Sequence, residues 1–215
     1  MYIIRRSMLV SVSNFVCVML PKLILGSSSP YRKELLSRLG VDFTCASPDI
    51  DESALPGETP QALCTRLAKL KALAIHEQHP NAIIIGSDQV AVLGDRILGK
   101  PHTRERAIEQ LSAMSGKQLV FMTALCIVNP QGETFETMVP TTVTMKTLSL
   151  ETIERYLDIE EPYNCAGSAK IEKLGVALMK SVVSDDPTAL IGLPLIQTVS
   201  LLAKAGLPVL PGLKD

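Results

Sequence analysis

Residues 83–90 read IIIGSDQV, and this stretch constrains the fold most tightly. Three consecutive isoleucines are β-branched and apolar, so the run reads as a buried strand. It ends on Ser87, Asp88 and Gln89 before apolar residues resume. A carboxylate beside an apolar interior is costly unless it is paired, hydrogen-bonded or bound to a metal. Asp88 is therefore either a solvated strand end or a group with chemistry to perform.

The flanking segments set the fold class. Residues 22–26 suit a first strand. Ser29 then offers an N-cap and Pro30 an N1 residue, predicting a helix to about Leu39 with Gly40 as its stop. Residues 41–46 read as a second strand and residues 48–57 as an acidic loop. Thr59-Pro60 opens a long helix to about His79, with Leu63, Leu67, Leu70 and Ala74 as one apolar stripe. Gly94-Asp95 makes a turn between Val92 and Ile97, which predicts a hairpin. Thr103 caps a helix ending near Gly116. Residues 119–128 and 134–146 are strands around a turn at 129–132. Ser149 caps a helix to about Ile159, and Leu193-Pro194 starts a last one ending before Gly206. A β-α-β opening followed by hairpins predicts an α/β protein with a mixed sheet.

The 215 residues suit one large domain or two joined lobes. Net charge is −1, which gives no field for nucleic acid or an anionic membrane, so an anionic ligand must be held by local cations. Aromatics are 4% with no Trp, which argues against a single-strand binder that stacks bases. Cysteines 17, 45, 64, 126 and 165 form no CxxC, so a reducing compartment is expected, without a disulfide framework or zinc knuckle. His76 and His79 read as a solvated last helical turn rather than a metal site. Residues 1–20 carry two arginines and a short apolar run, like a signal peptide. The run is short for a membrane span, no cleavage site is convincing, and Met19 is a sensible alternative start. The expectation is a non-structural extension over residues 1–20 and one domain over 21–215.

Four segments carry polar residues that a bare scaffold does not require. GSSSPYRK, 26–33, puts hydroxyl residues between a strand and a helix N-terminus, where free N–H groups favour an anion; Arg32 and Lys33 add charge one turn in. It lacks the Walker A pattern. The acidic loop holds Asp51 and Glu52, and Lys69 and Lys71 follow on the next helix. GSDQV is joined by GKP at 99–101. NCAGSAKIEKLG, 164–175, puts Gly beside small residues, which permits close backbone approach to a ligand. Phosphoryl chemistry would use such parts together: carboxylates such as Glu52 and Asp88 as oxygen ligands for a divalent cation, and Arg32, Lys71 and Lys100 against phosphate oxygens.

The ordered set LILGSSSPYRKELL, DIDES, RLAKLKA, IIIGSDQV, GKP, NCAGSAKIEKLG and LIGLPL resembles the Maf-like nucleotide pyrophosphatases over residues 22 to about 205. The resemblance implies an elongated mixed sheet flanked by helices, with two lobes around a cleft (a Maf/ITPase-like α/β fold), commonly as a homodimer. It implies hydrolysis of nucleoside triphosphates to the monophosphate and pyrophosphate with a divalent metal, Mg2+ or Mn2+. SDQ rather than SDT, with CAGS…E in the late motif, resembles the 7-methyl-GTP subgroup rather than the dTTP/UTP one. By that similarity Asp88 is the proton acceptor and, with Glu52, a metal ligand. Ser27, Arg32, Lys71 and Lys100 hold phosphates, and Tyr31, Gln89 and Glu172 tune base choice. Tyr31 stands where a Trp is usual in the subgroup, Lys33 for Arg, and Ala169 and Lys173 for Phe and Gly. The expected partner is a small nucleotide in the cytoplasm, without nucleic acid or membrane. Rival readings are the same reaction on dTTP and UTP, or a non-catalytic nucleotide-binding regulator of septum formation. All depend on Asp88 facing a wet, cation-lined crevice.

Overall fold

The computed structural model describes residues 21–212, so the reading of residues 1–20 as an extension lies outside them. Strands β1 (Leu23–Gly26), β2 (Thr44–Ala46), β3 (Ile83–Leu93), β4 (Arg96–Leu98), β5 (Gln118–Val128), β6 (Thr134–Met145) and β7 (Met179–Ser184) form one sheet. Its order is β2-β1-β3-β5-β6-β7, with β4 on β3. β1 runs parallel to β2 and β3, and the other pairs are antiparallel, so the sheet is mixed as the sequence pattern predicts. Helices α1 (Pro30–Ser37), α2 (Pro60–Gln78), α3 (Arg104–Met114), α4 (Leu150–Glu160) and α5 (Leu195–Lys204) flank it. No described helix is long and apolar enough to cross a membrane.

Four of the helices begin where hydroxyl caps predict. Ser29, Thr59, Thr103 and Ser149 each accept a hydrogen bond from the backbone N–H three residues on, satisfying a donor that has no partner within the helix. The apolar stripe of α2 is a correction. Its buried residues are Leu63, Cys64, Leu67, Ala68, Lys71, Ala72 and Ile75, while Leu70 is exposed and Ala74 half-buried. The buried face is thus rotated from the leucine spacing and carries a lysine. Strand β7 has no counterpart in the sequence reading. Lys180, Ser181, Val182 and Val183 are exposed along this edge strand, so no apolar alternation marks it.

The period of two along β3 explains how the site is placed. Ile84, Val90 and Val92 pack with α2 in one cluster, whereas Ile83 and Ile85 pack with residues of α1 and α5 on the other face. Ala91, Phe121 and Val143 join residues of α3 and α4 in a third cluster further along the strands. Gly86 faces α2, where a Cβ would sit 2.3 Å from the Ala68 carbonyl oxygen and 2.7 Å from the Ala72 nitrogen. Only glycine lets the helix lie this close to the strand. That contact brings Lys71, one turn along α2, level with Asp88.

Candidate active site

The even-numbered face of β3 carries the charged centre. Lys71 Nζ lies 2.6 Å from Asp88 Oδ1 and 2.8 Å from Glu52 Oε1, so one ammonium joins two carboxylates. Lys71 and Asp88 are each 7% exposed, whereas Glu52 stands open on its loop. Burial raises the Glu52 carboxyl, and the hydrogen bond and charge of Lys71, then Lys100 and Arg32, outweigh it, leaving its pKa lowered. Asp88 is therefore nearly buried against its cation rather than facing the wet crevice expected from the sequence, and Glu52 is the exposed member of the trio. Cys64 Sγ donates to the Asp88 carbonyl oxygen at 3.2 Å, tying α2 to β3 at the same level.

The β1–α1 junction supplies a second group. Ser27 is buried, and its hydroxyl accepts from Ser29 N at 3.2 Å and from Arg32 at 3.5 Å. Arg32 is half-buried, and its Nε donates to the Gly192 carbonyl at 2.8 Å. Burial lowers the Arg32 pKa, while the Asp88 carboxylate acts against that. Arg32 thus sits within the field of Asp88.

Tyr31, Glu172 and Lys100 form the outer part. The Tyr31 phenol is pushed above its usual pKa by burial, then by the neighbouring Cys165 and Glu172. Burial raises Cys165 too, with Glu172 adding and Lys170 and Lys100 opposing. Lys100 is exposed, and its charge reaches both Cys165 and Glu52. Lys170 pairs with Glu160, Nζ to Oε2 4.0 Å, rather than with Glu172. Eight of the nine residues proposed from sequence are therefore neighbours in one set of groups, joined directly or through Cys165.

A family model described as Maf-like protein matches residues 22–205. The chain belongs to the Maf-like family. A 7-methyl-GTP pyrophosphatase of Nitrosococcus oceani is 53% identical over 191 residues, covering 88% of this chain and 96% of that one. Proteins of the same description from Pseudomonas syringae pv. tomato and Pseudomonas fluorescens Pf-5 are 56% and 57% identical, covering 88% and 87% of this chain and 100% and 98% of theirs.

In this Maf-like chain Gln89 is the residue set apart. As the neighbour of Asp88 in a strand, it faces the other side of the sheet. Its Nε2 donates to Thr123 Oγ1 at 2.9 Å and to the carbonyls of Ala189 and Leu190 at 3.0 and 3.1 Å. Two of those partners only accept, so the amide cannot be reversed there. Thr123, Ser87 and the turn at 189–192 were not singled out one by one, although LIGLPL carries most of that turn. Cys165 is half-buried among site groups. At Gly175 a Cβ would meet the Lys170 oxygen at 2.5 Å, so the close approach there is to the chain itself. Among the described residues no group of three or more His, Cys, Asp or Glu converges as a metal cage. Glu52 and Asp88 share the Lys71 ammonium, and Mg2+ is commonly bound through one or two carboxylates together with substrate phosphates.

Proposed function

We propose that this Maf-like protein hydrolyses 7-methyl-GTP to 7-methyl-GMP and diphosphate. One observation carries the reading: the buried Lys71–Asp88 pair at 2.6 Å, with Glu52 on the same ammonium and Arg32 nearby. The names of the similar proteins supply the substrate.

Ser27, Arg32 and the α1 N-terminus would take the phosphate chain, with free N–H groups and guanidinium matched to its oxygens. Lys71 and Lys100 would neutralise further phosphate charge, Lys71 exchanging a carboxylate partner for a phosphate oxygen. Asp88 then accepts the proton of a water whose oxygen attacks the α-phosphorus, and the α–β bridging oxygen leaves with diphosphate. A divalent cation, Mg2+ or Mn2+, held by Glu52 and Asp88 with the phosphates, would spread the developing negative charge. N7-methylation gives guanine a positive charge. Glu172 would attract it, and Tyr31 could stack on it for about 0.5–2 kcal/mol. Gln89 would act on base choice with its amide nitrogen committed to the sheet's other face. The same reading treats residues 21–215 as one two-lobed unit. It extends to a cytoplasmic homodimer that takes a small nucleotide and neither nucleic acid nor membrane.

Diphosphate release over a nucleotide panel tests this. The parent should turn over 7-methyl-GTP in preference to GTP, dTTP and UTP, and Asp88→Asn should lose about 10²–10⁴-fold in kcat. A preference for dTTP and UTP, or an active Asp88→Asn, rejects the assignment. Glu172→Gln should reduce the ratio of 7-methyl-GTP to GTP turnover, and equal ratios in mutant and parent would remove Glu172 from base recognition.

A further inference from the structure

Between β7 and α5 the chain makes a turn whose polar interior is fully accounted for. Asp186 and Thr198 are fully buried. Asp186 Oδ1 accepts from Thr188 N at 2.9 Å and lies 2.6 Å from the Thr188 hydroxyl, and Oδ2 accepts from Ile196 N at 2.7 Å. The Thr188 hydroxyl also lies 2.9 Å from the Leu193 carbonyl and accepts from Leu195 N at 2.8 Å. One carboxylate and one hydroxyl thus bind both ends of residues 188–196, including the first N–H groups of α5. A charged acceptor with three short partners is a stiff fixture, because charge-assisted bonds are about twice as strong as neutral ones.

The turn so fixed directs its carbonyls at the candidate site. Gly192 O accepts from both Arg32 Nε, at 2.8 Å, and Ser87 Oγ, at 3.0 Å. Ala189 O accepts from Thr123 Oγ1, at 2.9 Å, and from Gln89. Gly192 has φ +122, a conformation that favours glycine, and a Cβ there would sit 3.4 Å from Arg32 Nε. With Nε committed to Gly192, the planar guanidinium has its orientation set before any ligand arrives.

We infer that Asp186 and Thr188 are positioning residues for polyphosphate binding, acting through the Gly192 carbonyl that aims Arg32. The inference rests on the proposed role of Arg32 as a phosphate ligand. Neither residue touches the phosphate, so the effect must vanish when the link through Arg32 Nε is removed. Arg32→Lys removes that link while keeping a positive charge.

Calorimetric binding of inorganic triphosphate to the full chain tests this as a double-mutant cycle over Thr188→Val and Arg32→Lys. Thr188→Val should weaken binding about 5- to 10-fold in the parent and less than about 2-fold beside Arg32→Lys, because residues of one hydrogen-bonded network are not additive. Thr188→Ser, which keeps the hydroxyl, should restore parental binding. With 7-methyl-GTP, the loss should fall on KM, with kcat nearly unchanged. Equal weakening in both backgrounds, or none in either, overturns the positioning role while leaving the proposed function standing. A parent that binds no triphosphate overturns both. If Thr188→Val does not fold, Asp186→Asn in the same cycle gives the same two readings.

Discussion

At residues 87–89 the two faces of β3 are built from opposite materials. On one face Asp88 meets the Lys71 ammonium and, through it, Glu52. On the other, Ser87 and Gln89 meet only carbonyl oxygens and the Thr123 hydroxyl. An ammonium between carboxylates can exchange partners, since phosphate oxygens offer the same interaction. Gln89 and Ser87, donating to backbone carbonyls of the turn at residues 189–192, have no such alternative. The charged face is thus suited to chemistry and ligand exchange, and the neutral face to holding shape. A single strand separates the two because its side chains alternate.

The largest effect that could break this contrast comes from Lys71→Met. It leaves Asp88 almost buried without its cation, and removing one partner of a buried pair costs about 3–5 kcal/mol. Urea unfolding should show that loss, and Asp88→Asn in the same chain should recover most of it. A Lys71→Met protein as stable as the parent would mean that Asp88 is already neutral or hydrated, and the charged face would lose its meaning. The neutral face should respond less. Thr123→Val conserves shape and removes a fully buried hydroxyl bonded to Gln89 and Ala189, for a loss of about 1–2 kcal/mol. Activity should stay within a few-fold, because no charge is displaced. A loss of kcat as large as that of Asp88→Asn would place the two faces in one catalytic unit.

Much of this arrangement is legible in the chain, for identifiable reasons. Hydroxyl caps followed by Pro or a charged first turn locate α1, α2, α3 and α4, because the cap satisfies a local backbone donor. The isoleucine run locates β3, because a buried strand needs no partner pattern to declare itself. The orientation of α2 was not legible. Leucine spacing selects Leu70 and Ala74, whereas the close packing permitted by Gly86 turns Ala68, Lys71 and Ala72 to the sheet. A buried lysine is also contrary to ordinary periodicity, since it is retained for its pairing with Asp88. Strand β7 is held by pairing to β6 at a sheet edge, and its exposed valines resemble a loop to any periodic reading. Asp186 has no local signature either, because its partners include Ile196, ten residues on.

The smallest expected effect concerns the loop that presents Glu52 to the charged face. Arg66 on α2 donates to both oxygens of Glu58, at 2.6 and 2.7 Å, and to the Ser53 carbonyl at 2.9 Å. Glu58 in turn accepts from Leu55 N at 3.0 Å, so the guanidinium closes the loop over residues 53–58. The hydrogen bonds from Arg66 and Leu55 hold the Glu58 pKa at about 2, below its usual 4.5. A carboxyl depressed on folding stabilises the folded chain fully above its unfolded pKa. That contribution fades as pH falls from about 4.5 toward about 2. Glu58→Gln should therefore lower the urea midpoint slightly at pH 7, and the gap from the parent should narrow steadily below pH 4.5, most of it being gone by pH 2.5. Because the loop carries Glu52, the same variant should weaken activation by added Mg2+ at pH 7 by a few-fold, with little change at saturating metal. A gap in midpoint that persists unchanged to pH 2.5 would mean that Arg66 holds the loop through Ser53 alone, and that the Glu58 charge does not help present Glu52.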